Sequence, residues 1–380
     1  MAPDPLPLLR DLVAVNSVNP GLVDGAPGEA AAADVCAAAM RGWGLDVTLQ
    51  NVRPGRPNVI GTLDGRTAGP TLMFCGHLDT VGVEGMTDPF TPRLDGDRLY
   101  GRGAQDMKGG LAAMIAAAGA LARSWSRGRL VVAAIVDEEH ESAGAVALVR
   151  EWRADAAVIT EPTDLAIAIA HKGFAWMEIV ARGRAAHGSR PAEGRDAILR
   201  MGRVLGALER LDRELQGRPG VPLEGTGSLH ASTIAGGREL SSYPDECRML
   251  MERRTVSGER VEAIEREVQD AIAALRKADP EFEADARLLT HRPPYRLDPG
   301  HPLVSTMQDV LSRAGRQGVP TGMSFWTDAA ILGEAGIPTV LFGPGGAGLH
   351  SLTEYVNVQD VYTCRDALVE TVKVLSEGPT

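Results

Sequence analysis

A chain of 380 residues exceeds the size at which one hydrophobic core usually stops growing, so two domains are expected. Hydrophobic residues at 44% and charged residues at 23% describe an ordinary water-soluble globular protein. A formal net charge of -11 and a pI near 5.3 argue against nucleic-acid or anionic-membrane partners, because a phosphate-bearing surface generally calls for a basic face.

The opening residues, MAPDPLPLLRDLVAVNSVNP, lack the basic start and uninterrupted apolar stretch of a secretory signal. No run approaches the ~20 apolar residues that a membrane helix needs. Cys36, Cys75, Cys247 and Cys364 are scattered without a C-x-x-C pair, which fits buried thiols in a reducing compartment, and a cytoplasmic location is expected. Residues 27–42 then read as a helix and residues 57–63 and 71–75 as strands. An Ala-rich helix follows over 107–123, an apolar strand over 130–136, a helix over 142–152 and a strand over 156–160. Such alternation predicts an α/β layer fold around a largely parallel sheet.

The character changes after His171. Residues 174–182 alternate like a half-exposed strand and lead into an amphipathic helix over 192–215. A Pro/Gly loop (217–227), strands near 228–235 and 246–254, a charged helix (258–277) and a strand near 282–290 complete a β-α-β-β-α-β order. That order is the signature of a small ferredoxin-like α+β unit. From Pro299 the first pattern resumes, with a helix near 301–315, a strand over 339–343 and a closing helix near 358–376. The expected organisation is one α/β domain built from residues 1–172 and 291–380, interrupted by an inserted α+β domain of residues 173–290.

Side chains able to carry chemistry gather at the ends of these elements. The strand TLMFC runs into Gly76 and then His77 and Asp79. Residues two apart on a strand share a face, so an imidazole with a carboxylate two residues on fits a metal ligand and the group that orients it. The carboxyl edge of an open α/β sheet is where ligands bind. In YGRGAQDMKGG, Asp106 stands at the mouth of the Ala-rich helix, where helix capping alone would account for a carboxylate. Lys108 reads as solvated. Asp137-Glu138-Glu139 follow the next apolar strand, and three adjacent carboxylates would repel if buried without compensation. A surface turn answers that; so does a pair of divalent cations, with one acid as ligand and another as general base. Glu161 ends a further short strand, and His350 follows the strand and Gly-rich loop near the carboxyl terminus. Together these hard and borderline donors match a two-cation site without thiolate ligands.

Taken together the segments GHLDTV (76–81), YGRGAQDMKGG (100–110), VDEEHESAG (136–144), TEP (160–162), GRAAHGSRPAEG (183–194) and GAGLHSLTEYV (346–356) resemble the M20 metallopeptidase family. The family includes acetylornithine deacetylase, succinyl-diaminopimelate desuccinylase, aminoacylase-1 and glutamate carboxypeptidase. The resemblance implies a catalytic α/β domain of the di-zinc exopeptidase type with an inserted lid that serves dimerisation. It implies that Asp106 bridges two cations, that His77 and Glu161 complete one site, and that Glu139 and His350 complete the other. Asp79 would support His77, and Glu138 would be the general base toward a water shared by the two cations. His187 would steady the oxyanion in the partner subunit of a homodimer, and Arg254 would contact the substrate carboxylate. Zinc is the family's cation, and cobalt and manganese suit the same donors.

The implied substrate is an N-acyl amino acid or a short peptide, with removal of the acyl group as the expected reaction. A carboxypeptidase or dipeptidase, and an inactive relative that only binds metal, are the competing expectations. The run Gly343–Gly348 formally fits G-x-G-x-x-G, yet no clear helix follows it, which disfavours a dinucleotide site. Departures from the family pattern are His140 and Glu141 after the paired Glu residues, Arg195-Asp196-Ala197 in the insert, and Ser257 in place of a common Pro.

Overall fold

The most apolar stretches of the chain form the centre of one mixed sheet in the computed structural model, which describes residues 2–377. The chain divides into two compact units. The first takes in the chain up to Ile169, then Leu297–Thr321, and the chain from Thr327 onward. Its sheet runs in the order Asp46–Arg53, Arg56–Asp64, Arg127–Ile135, Thr67–His77, Ala156–Ile159, Thr339–Leu341, with Leu341 paired to Ala168.

The parallel character expected from the sequence holds only at the centre. Thr67–His77 lies parallel to both neighbours, and Thr339–Leu341 lies parallel to Ala156–Ile159. The flank formed by Asp46–Arg53 and Arg56–Asp64 is antiparallel, because a two-residue Pro54-Gly55 link can join only antiparallel strands. Asp46–Arg53 carries no apolar stripe and buries only Gln50, which is why periodicity does not reveal it.

Gly109–Leu121 (GGLAAMIAAAGAL) is apolar around its circumference, and only Gly119 and Ala120 escape full burial. A helix of that composition has to sit inside the fold, and it packs against both the sheet and the closing helix Val358–Glu377. A Cβ on Gly110 would lie 2.0 Å from the Thr160 carbonyl oxygen, so only glycine lets the helix start this close to the strand ends. That approach carries the loop before the helix to the carboxyl edge of the central strands.

The second unit comprises Ala170–Arg296 and Gly322–Trp326. Its four strands, in the order Ser228–Gly236, Glu246–Thr255, Gly173–Arg182, Glu283–Arg292, are antiparallel throughout. Helices Ala197–Gln216 and Val261–Ala278 cover one face, and Met177, Ile179, Val204, Leu208, Met249 and Phe282 form the core between them. Residue 290, the expected end of the insert, falls inside the last strand. Tyr295 and Arg296 then pair with His171 and Ala170, and the unit extends through Arg296. Among the described residues no helix is long and apolar enough to cross a membrane.

Candidate metal centre

Every residue expected to hold a cation lies in the first unit. His77 ends the strand Thr67–His77, Glu161 lies just beyond Ala156–Ile159, and Glu138 and Glu139 follow Arg127–Ile135. Parallel pairing brings these three strand ends to one edge. Asp106 does not cap the Ala-rich helix. It sits in the tight turn Ala104–Lys108 that precedes Gly109, in a non-helical conformation that frees its carboxylate. His350 follows the turn at Gly348 and has φ 56°.

The donors converge. His77 Nε2 lies 3.0 Å from Asp106 Oδ1 and 4.0 Å from Glu161 Oε1. His350 Nε2 lies 3.4 Å from Asp106 Oδ2 and 3.3 Å from Glu139 Oε2. Asp106 therefore shows one oxygen to each histidine. His77, Glu138 and Glu161 have ligand atoms within 4.8 Å of one another, as do His77, Asp106 and Glu139. His77 and Glu161 are buried whereas His350 is exposed, so the cluster opens to solvent on the His350 side.

Two buried carboxylates shape this cluster from behind. Asp79 supports His77 through its backbone: His77 Nδ1 donates to the Asp79 carbonyl oxygen at 3.0 Å, while the nearest carboxylate oxygen is 3.7 Å away. That bond leaves the Nε2 lone pair of His77 aimed into the cluster. The Asp79 carboxylate instead accepts the backbone amides of Glu138 and Glu139 at 3.1 and 3.0 Å, fixing the turn that carries both acids. Glu354 does the same for Asp106. Its carboxylate accepts the amides of Gly103, Gln105 and Asp106 at 3.0, 2.9 and 3.1 Å and is paired with Arg102 at 2.6 Å. One side chain four residues beyond His350 thus ties the His350 loop to the Asp106 turn.

The electrostatics report crowding of negative charge. Burial, opposed by His77 and reinforced by Asp106 and Glu139, pushes the Glu161 carboxyl up to about 8. Burial likewise raises Glu138, with the charges of Glu161, Asp328 and Glu139 adding to it against the pull of His77. Hydrogen bonds to Asp106 and Glu139 lift His350 to about 10. For Asp106, burial is outweighed by hydrogen bonds from His350 and His77, which hold its carboxyl well below the usual range. Glu139 Oε1 is buried without a hydrogen-bond partner. Two imidazoles, three carboxylates and an unsatisfied buried oxygen suit a pair of divalent cations, with Asp106 shared between them.

Lys108 is fully buried rather than solvated, with Nζ donating to the Val15 carbonyl at 3.0 Å, and burial pulls it down to about 7. His187 and Arg254 belong to the second unit. His187 is exposed, its Nδ1 2.8 Å from Ser189 Oγ. Arg254 Nε donates to Glu252 at 2.6 Å and its guanidinium stacks over Phe174, whereas Arg253 is buried against Glu259. Sequence reading passed over Asn19, Arg56, Asp328 and Glu354. Asp328 resembles an ordinary cap before the apolar helix Ala329–Glu334, and Glu354 gains meaning only through amides some 250 positions away.

Residues 73–374 match the model of peptidase family M20/M25/M40. An acetylornithine deacetylase of Myxococcus xanthus is 33% identical over 321 residues, covering 82% of this chain and 81% of its own length. The N-formyl-4-amino-5-aminomethyl-2-methylpyrimidine deformylase of Bacillus subtilis (strain 168) is 28% identical over 368 residues, covering 87% and 84%. Among solved structures the Bacillus subtilis YXEP protein, described as a dinuclear metal binding peptidase, superimposes with a TM-score of 0.76 at 17% identity, covering 99% and 98%.

Glu354→Gln replaces an acceptor of three amides by a group whose NH2 faces N–H donors, so the folded variant should lose about tenfold or more in cation affinity, read by cation titration with metal analysis. Below about 8 Glu161 holds a proton, and below about 10 His350 does, while a cation needs both lone pairs free. Cation binding should therefore release protons and tighten as pH rises toward those values. Calorimetry in buffers of different ionisation heat checks this, and a pH-independent affinity would contradict it.

Proposed function

Because the chain belongs to peptidase family M20/M25/M40, a family of hydrolases, we propose that it removes an N-acyl group from an amino acid by amide hydrolysis at a two-cation centre. The observation that carries this reading is Asp106 presenting one carboxylate oxygen to His77 and the other to His350, with Glu138 beside His77 and Glu161. His77, Asp106 and Glu161 would hold one cation and Asp106, Glu139 and His350 the other. Zinc is the proposed ion, with cobalt and manganese compatible with these donors. When bound, such a pair supplies Lewis acidity toward a water and toward the amide carbonyl.

Glu138 has the features of a general base. It is close to the ligand set and its carboxyl is raised by burial and by Glu161, which favours a group that takes a proton and later delivers it. It accepts the proton of the attacking water and returns it to the leaving amine, which departs poorly as an anion. Asp79 keeps Glu138 and Glu139 aimed by gripping their amides. Arg254 would take the carboxylate of the amino-acid product, and His187 of the partner subunit would donate to the tetrahedral oxyanion. The second unit would act as lid and dimer contact; its edge strand Ser228–Gly236 is exposed along most of its length and open to pairing with a second copy. The four free, buried cysteines suit the reducing cytoplasm.

A cleft of about 580 Å³ beside His350 has an apolar wall that suits an aliphatic acyl group. Val18, Val23, Val81, Val83 and Leu352 supply its apolar wall. Arg102, the guanidinium that lines it, is already engaged by Glu354 and the Ser351 carbonyl, leaving it committed when a second carboxylate such as that of a succinyl group arrives.

With zinc or cobalt added, the protein should hydrolyse N-formyl or N-acetyl amino acids faster than N-succinyl ones or dipeptides. Glu138→Ala should lower kcat at least about a hundredfold while both cations stay bound. Substantial turnover in that variant would remove Glu138 as base, and exclusive cleavage of peptides would shift the reading to a peptidase. The active species should be a dimer by light scattering, with His187→Ala depressing kcat more than KM; full activity as a monomer excludes the role in trans.

A further inference from the structure

Behind the turn that carries Glu138 and Glu139 lies a buried charge network that the chemistry above does not use. Arg56 is 8% exposed and donates twice to Glu29, through Nε and Nη2, at 2.6 Å each. The same Nη2 donates to Asp137 Oδ1 at 2.9 Å. Asp137 is fully buried, opens the turn, and holds φ 70°, a left-handed conformation that a non-glycine residue keeps only when its surroundings impose it. Those surroundings are specific. The Asp137 amide donates to Glu29 Oε1 at 3.1 Å, and Asn19 Nδ2 reaches Asp137 Oδ1 at 3.1 Å and Asp79 Oδ2 at 2.7 Å. Arg53 also comes within 3.6 Å of Asp137, but it is more exposed and pairs with Glu141 at the surface.

We propose that Arg56 is a positioning residue for the reaction: by clamping Asp137 it sets the left-handed turn from which Glu138 and Glu139 project. The chain of contacts is continuous. Arg56 fixes the Asp137 carboxylate; Asn19 ties that carboxylate to Asp79; Asp79 holds the two amides of the acids that do the chemistry. Without the guanidinium, Asp137, Glu29 and Asp79 would lose the buried cation between them and keep only the half-exposed Arg53 beside Asp137, and Asp137 would turn toward solvent, taking the turn with it. A lysine keeps the charge and loses the fork that grips Glu29 and Asp137 together.

This inference rests on Glu138 as base and Glu139 as ligand. It is tested on the full chain with Arg56→Lys and Asp137→Gly, the second chosen because glycine accepts φ 70° without strain and leaves the turn foldable. Folding is followed by circular dichroism, cation content by metal analysis, and ligand geometry by the visible spectrum of the cobalt-loaded protein. Both variants should lose about 10–100-fold in kcat with KM within about twofold, and their cobalt bands should shift as Glu139 moves. Wild-type kcat with a wild-type cobalt spectrum in either folded variant overturns the proposal, and so does a lowered melting temperature with both readouts unchanged. Should Arg56→Lys fail to fold, Asp137→Gly decides alone. If Glu138→Ala retains turnover, the base assignment fails and this inference with it; if Glu138→Ala is inactive while both variants match wild type, the inference alone fails.

Discussion

Mutual repulsion among buried carboxylates is the constraint on which this structure turns. Asp79, Asp106, Asp137, Glu138, Glu139, Glu161, Asp328 and Glu354 are gathered at one end of the first unit, most of them out of contact with solvent. Negative groups at such density, taken from water, stay ionised only where cations or directed hydrogen bonds offset them. The raised carboxyls of Glu138, Glu139 and Glu161 record where the offset is incomplete, and that is where a pair of divalent cations fits.

The carboxylates that face away from the cluster are treated differently. Asp79 accepts two backbone amides and a side-chain amide, Glu354 three amides and a guanidinium, and Asp137 a guanidinium and a side-chain amide. Each is bonded to donors from a distant part of the chain, so each welds two loops together. The division is functional. Satisfied acids hold backbone in place, and under-satisfied acids are the ones assigned to metal and proton transfer in the proposed function.

Backbone packing serves the same end. The Ala-rich helix can enter the middle of the fold because it lacks bulky side chains, and Gly110 lets its first turn press against Thr160. That contact sets the Asp106 turn over the strand ends, within reach of both histidines. A larger residue would move the Asp106 carboxylate without altering any side chain of the cluster.

The residues that converge in the cluster were legible from sequence alone, because hydrophobic runs locate strands, strand ends face one edge of an α/β sheet, and His, Asp and Glu stood at those ends in a recurring family order. The change of pattern after His171 was legible for the same reason, as helix and strand periods differ. What periodicity could not supply was any relation between distant residues. Asp106 had both a capping and a cation-bridging reading, and Lys108 read as a surface charge, until the turn Ala104–Lys108 put one in the cluster and buried the other. Asp79 read as a partner for the His77 ring, yet its carboxylate is spent on the Glu138 and Glu139 amides. Arg56 and Asn19 carry no local signal, and Glu354 stands in a family-like segment that does not reveal its partners, since a hydrogen bond spanning 60 or 249 positions exists only once the sheet has brought its ends together. Composition and pattern therefore decide which chemistry the chain can hold; the aim of each carboxylate is decided by long-range packing, because direction is a property of the folded backbone and not of residue type.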